Sequence, residues 1–147
     1  MIIKSFRGLI ADGSTDTIAL HTNTGSTGYR ITKLLGMANA PGTKDSEHII
    51  KIYKIPQTTV DGTVDLSDNT LLAVLYYTNR SDALHNNENV IIADIEIFNQ
   101  DIYITHIDMS TSTNEAGNYY IELEQMPLAL DENTVATLKD IRNIKGQ

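Results

Sequence analysis

Apolar and polar residues alternate with a period of two along most of this chain, the pattern of strands that bury one face. Ile2 to Ile10 forms the first such run, closed by Asp12-Gly13, and Asp16 to His21 forms the second. A stretch rich in Thr, Asn, Gly and Ser, from Thr22 to Gly28, reads as a loop. Tyr29 to Met37 resumes the extended pattern until Pro41-Gly42 breaks it. Glu47 to Ile55 (EHIIKIYKI) predicts a strong strand ended by Pro56, and Val60-Asp61-Gly62-Thr63 carries the Asp-Gly pair that favours a tight hairpin turn. Leu71 to Thr78 (LLAVLYYT) is apolar in both phases. That predicts a central strand, or one whose second face is covered by another element or subunit.

After a polar loop from Asn79 to Asn89, Val90 to Phe98 predicts a further strand, with Ile95 and Ile97 opposed to Asp94 and Glu96. Asn99-Gln100 then suggests the turn of a hairpin into Asp101 to Asp108. Ser110 to Asn118 is a second loop, and Tyr119 to Met126 is the last strand, its Ile121 and Leu123 alternating with Glu122 and Glu124. Beyond it the period changes. Val135, Leu138 and Ile141 recur at helical spacing behind Asp131 as N-cap, which predicts one short helix over about 132–143. Eight or so short strands with no helices between them predict an all-β fold. The expectation is an antiparallel two-sheet β-sandwich, with the jelly roll among its candidate topologies, in a single domain over 1–147. A doubly wound α/β fold has no place for its helices.

Composition sharpens this picture. Nineteen Ile against two Phe, with no Trp, call for a core of β-branched aliphatics, which suit pleated sheet. The net charge of −8 argues against a partner rich in phosphate and against an anionic membrane surface, so neither nucleic acid nor membrane is an expected partner. The chain has no Cys, which fits folding in a reducing compartment. Its first residues show no apolar core of a signal peptide, and no apolar run approaches the ~20 residues of a membrane helix. The Asn79-Arg80-Ser81 sequon is accordingly expected to be a chance match.

The chemistry-bearing residues are sparse. Asp94 with Glu96, and Glu122 with Glu124, each place two carboxylates on one strand face roughly 7 Å apart. Were those strands neighbours, the acids would form a cluster of the kind glycoside hydrolysis uses. Solvent-facing charge on half-buried strands explains them more simply, because no Trp is present to build a sugar cleft. Asp12-Gly13-Ser14-Thr15-Asp16, and Asp61, Asp65 and Asp68, read as turn chemistry rather than as cation loops. The histidines (His21, His48, His85, His106) are scattered without metal-ligand spacing and are expected at the surface or at strand ends. No nucleophile elbow and no glycine-rich phosphate loop occurs. No enzymatic activity, cofactor or metal is therefore expected. Tyr76-Tyr77 and Tyr119-Tyr120 each put one ring on either face of a strand, which makes all four candidate interface residues.

The segments Phe98-Asn99-Gln100-Asp101-Ile102-Tyr103, Asn118-Tyr119-Tyr120-Ile121-Glu122-Leu123-Glu124 and Thr134-Val135-Ala136-Thr137-Leu138-Lys139-Asp140-Ile141-Arg142 resemble small virion structural proteins of marine tailed bacteriophages. Asp16 to Arg30 (DTIALHTNTGSTGYR) adds to the likeness, which is one of overall texture rather than of a diagnostic motif. The resemblance implies a protein made in the host cytoplasm and assembled in many copies on the virion, as a capsid decoration or cement protein. Its partners would be phage capsid proteins and itself, as a homo-oligomer with a trimer favoured, and it brings no catalytic residues. The alternative expectation is a glycan-binding β-sandwich module of a fibre or host-recognition protein, which requires Tyr29, Tyr53 and Tyr103 to face solvent close together. A hydrolase, the third class, requires the two acidic strands to be adjacent.

Overall fold

A computed structural model describes residues 1–42, 44–79, 87–92, 97–110 and 114–128. The helix expected at 132–143, the Asp94 and Glu96 carboxylates, His85, and Arg80 and Ser81 of the sequon lie outside the described residues. The elements are β1 (Ile2–Ile10), β2 (Ser14–Ile18), β3 (Thr27–Ala38), β4 (Ser46–Tyr53), β5 (Leu71–Asn79), β6 (Asn87–Ile91), β7 (Ile102–Asp108) and β8 (Gly117–Pro127). They form a three-stranded sheet ordered β1-β8-β3 and a five-stranded sheet ordered β2-β7-β4-β5-β6, antiparallel throughout, packed as a sandwich. The all-β sandwich expected from the alternation is the fold of the described residues.

The pairing is nested. β1 lies on β8, β2 on β7 and β4 on β5, while β3 approaches β6 closely enough for the Asn89 amide to donate to the Leu34 carbonyl at 2.7 Å. The ladder of β6 runs to β5, which gives sheets of three and five strands. Between the sheets lies a core of aliphatics drawn from the inward phase of each strand: Ile31 and Leu34, Ile50 and Ile52, Ile102 and Ile104, Ile121 and Leu123, all at most 2% exposed. Ile31 and Leu34 are three residues apart, yet both face inward. A bulge between Ile31 and Lys33 makes this possible, with the Thr32 hydroxyl donating to the Glu122 carbonyl across it.

Several local expectations need correction. The second strand ends at Ile18 rather than His21, because the backbone N–H groups of Leu20 and His21 leave the ladder and donate to Asp101 Oδ1. Asp61-Gly62 makes no hairpin. β4 pairs with β5 itself, and the segment 54–70 joining them is an irregular loop built on three Asp side chains, each accepting the N–H two residues on: Thr63, Ser67 and Thr70. That loop also explains the doubly apolar β5. Its Val64 and Leu66 share a depression with Val74 and Tyr76, and Lys51, 3% exposed on the same outer face, reaches Asp61 and the Thr63 carbonyl. The 54–70 loop thus lies over part of the second face of β5, with Val64 and Leu66 themselves 43% and 55% exposed. Finally, Asn99-Gln100 turns no hairpin, for β7 runs between β2 and β4 while Phe98 bridges to Tyr29.

Candidate functional site

The inner face of the five-stranded sheet changes character along its length. At one end the cross-strand rows are aliphatic: Ile18 opposite Ile102, then Ile104 opposite Ile52 and Ala73 beside it. One row further Ser14, His106, Ile50 and Leu75 meet, and the next holds Asp108, His48 and Tyr77. Ser46 and Asn79 close the series. His48 and His106 occupy the phase of the strand that elsewhere carries isoleucine, so both are fully buried. This corrects the surface or strand-end placement expected for them. His21, by contrast, is exposed and bonds Asp101 at 2.6 Å.

The buried pair makes a single-file chain of hydrogen bonds. His48 Nδ1 lies 2.8 Å from His106 Nε2, His48 Nε2 lies 2.8 Å from Ser46 Oγ, and His106 Nδ1 lies 3.2 Å from the Ala11 carbonyl. A carbonyl only accepts, which sets every other hydrogen. His106 Nδ1–H donates to Ala11, so neutral His106 offers Nε2 as acceptor; His48 Nδ1–H donates to it, and the Ser46 hydroxyl donates to His48 Nε2. Every ring nitrogen is satisfied with both imidazoles neutral. Burial, reinforced by His106, lowers the His48 pKa from 6.5 to about 4, against the pull of Asp108, Glu115 and Asp12. Burial also lowers that of His106.

The surroundings lock the pair in place. The Tyr77 ring stacks on His48 with centroids 4.6 Å apart, and its hydroxyl donates to the Met37 carbonyl at 3.2 Å. Asp108 accepts the N–H groups of Glu47 and Ser110 on Oδ1 and of Glu115 on Oδ2, tying β4 to the loop that leads into β8. Gly117 is the only residue type that fits its position. A Cβ there would stand 2.5 Å from His106 Nε2 and 2.8 Å from the Tyr77 hydroxyl oxygen.

Ser46, His48 and His106 share the nucleophile–base–orienter connectivity of acyl-transfer enzymes. Ser46 is only 3% exposed and its hydroxyl is directed at His48 inside the sandwich, so a substrate carbonyl has no approach to it. The constellation is built as an inter-strand clasp. No group of three or more metal-binding side chains occurs among the described residues.

Of the four candidate interface tyrosines, two lie inside. Tyr77 is in the cluster just described, and Tyr119 donates its hydroxyl across the sandwich to Asp16 at 2.6 Å. Tyr76 and Tyr120 are half-buried on the outer faces, bonded to Glu47 and Glu122. Tyr120 sits in the more open setting. On the outer face of the three-stranded sheet, Leu9, Asn118 and Met37 form one cross-strand row, and Arg7, Tyr120 and Leu35 the next. Leu9, Leu35 and Met37 are 54%, 45% and 62% exposed, and Leu35 and Met37 line a depression of about 230 Å³ with Asn118 and Tyr120. Towards the other end of that face Glu122 and Glu124 meet Lys33 at 3.8 Å and Arg30 at 2.7 Å. The ladder neighbours of β8 are β1 and β3, while Asp94 and Glu96, the other half of the acidic pair, lie outside the described residues. The tyrosine groove required for glycan binding is not formed: Tyr29 stacks on Phe98 at 8% exposure and Tyr53 is 7% exposed, although Tyr53 and Tyr103 are direct cross-strand partners.

No protein-family model matches this chain, and no curated protein matches it either.

Proposed function

We propose that this chain is a non-enzymatic virion structural protein that decorates or cements a bacteriophage capsid. It would act as a homo-oligomer, a trimer being the favoured state, docking through the apolar end of its three-stranded sheet. The observation that carries the contact role is the outer face of the three-stranded sheet, where Leu9, Leu35 and Met37 are exposed beside Tyr120, an aliphatic cluster with a tyrosine as interface cores favour. The virion setting rests on the sequence resemblance, and the acidic net charge keeps free copies apart before assembly.

Purified chain mixed with expanded capsid shells is expected to bind saturably, with Met37→Glu weakening that binding by roughly tenfold or more. Absence from virions together with failure to bind any shell would refute the proposal. A second expectation follows from the buried Ser46 hydroxyl. Incubation of the folded chain with a fluorophosphonate probe should leave its intact mass unchanged, and a covalent adduct on Ser46 would mark a nucleophilic enzyme instead.

A further inference from the structure

We infer that the Ser46–His48–His106 chain is an acid-sensitive latch: proton uptake by the imidazole pair opens the sandwich at the end where β4, β5 and β7 meet the loop leading into β8. This does not depend on the assembly proposed above.

The inference stands on the direction of the hydrogen bonds. Ser46 donates to His48, His48 to His106, and His106 to the Ala11 carbonyl, so within the file an added hydrogen finds an acceptor only at Ser46 Oγ, and only if that hydroxyl turns away from His48. A proton on His106 Nε2 points at the His48 Nδ1 hydrogen. It is accommodated only if His48 changes tautomer and the Ser46 hydroxyl, 3% exposed, turns to a new acceptor. A second proton would set two imidazolium rings 2.8 Å apart in a buried site, where like charges exclude one another.

The charged groups around the pair do not relieve this. Asp108 from β7 already accepts three backbone N–H groups, Asp12 from the β1–β2 turn accepts the Asp108 N–H, and Glu115 is paired with Lys44 at 2.9 Å. From β5 the pair is faced by the neutral Tyr77 phenol. Asp16 of β2, one row beyond His106, is bonded to the Tyr119 phenol of the opposite sheet. The carboxylates raise the proton affinity of the rings, and burial outweighs them.

The sign follows from linkage. Unfolded histidine takes up a proton near pH 6.5, and the folded rings only at lower pH. The latch therefore contributes fully above pH 6.5, and its contribution is lost as pH falls from there towards 4. Tyr77 extends the effect, because its ring rests on His48 and its hydroxyl holds the Met37 carbonyl. Opening thus loosens the backbone beneath the exposed Leu35 and Met37.

The test is urea unfolding of the full chain at pH 7.5, 6.5, 5.5 and 4.5. The folding equilibrium constant should fall only about threefold between 7.5 and 6.5, then more steeply, by up to about tenfold per pH unit for each proton taken up. The triple variant Ser46→Ala, His48→Phe, His106→Leu, which replaces every partner in the file by an apolar group, should lose most of that fall. Variants His21→Asn and His85→Asn should keep it. A flat profile in the parent, or a fall that persists in the triple variant, overturns the inference. Should the triple variant not fold, nitrogen-detected histidine spectra of the parent chain decide. In the folded state at pH 5.5 the His48 and His106 signals are expected to be those of neutral rings protonated on Nδ1, and a protonated ring assigned to either residue overturns it.

Discussion

Tyr77→Ala is expected to lower the free energy of unfolding by about 4 kcal/mol, measured by urea denaturation at pH 7.5. Three effects combine. The ring is 4% exposed and belongs to the core cluster, so its removal leaves a cavity that the rigid strands around it cannot close. It also covers one face of His48 at 4.6 Å, so the cavity opens beside a buried imidazole. Its hydroxyl bonds the Met37 carbonyl in the opposite sheet, as the Tyr119 phenol bonds Asp16 across the sandwich. Tyr77→Phe separates these terms. It keeps the packing and should cost about 1 kcal/mol, the worth of one such bond. A loss for Tyr77→Ala no larger than that of Tyr77→Phe would show that the ring is not part of the core.

Gly117→Ala should cost roughly 3 kcal/mol by the same measurement, a large effect for one methyl group. The need for glycine here is one of space. The added carbon would stand 2.5 Å from His106 Nε2, the atom that accepts the His48 hydrogen, and 2.8 Å from the Tyr77 hydroxyl oxygen. Neither neighbour can retreat, since His106 is held at its other nitrogen by Ala11 and Tyr77 by Met37. The substitution therefore adds overpacking to the loss of a buried hydrogen bond. At the exposed turn position Gly13, where φ is +75° and nothing lies within 4 Å of a Cβ, alanine should cost about 1 kcal/mol through backbone strain alone. Equal losses at the two positions would refute the packing explanation.

Strand position was legible in this sequence because alternation is local. The phases of Ile50 and Ile52, Ile102 and Ile104, and Ile121 and Leu123 mark the buried face correctly. Strand partnership was not. Asp61-Gly62 and Asn99-Gln100 both carry turn residues, but whether a turn closes a hairpin depends on which strands lie beside it. Here β7 finds β2 and β4, from far earlier in the chain. The doubly apolar β5 was recognised as covered on both sides, while the covering loop could not be named, since its Val64 and Leu66 look like ordinary loop residues. The histidine pair was missed because its members are 58 residues apart and motif spacing has no reach at that distance. A signal was nonetheless present: His48 shares the phase of Ile50 and Ile52, and His106 that of Ile102 and Ile104. A polar side chain on the inward phase of two strands asks for a buried partner.

The place of β8 between β1 and β3 has a consequence for how the molecule comes into being. Neither flanking strand has a ladder partner in its own sheet until residues 117–127 are available, so that sheet cannot exist while they are still being synthesised. Among the described strands, four of the six pairings join elements that are not consecutive in the chain, and such topologies fold in milliseconds to seconds rather than microseconds. During translation β1 and β3 must wait as unpaired, apolar-rich segments, exposed to association with neighbouring nascent chains. Lys4, Arg7, Arg30 and Lys33 give both waiting segments a positive charge, and the complementary Glu122 and Glu124 arrive with the strand that ends the wait.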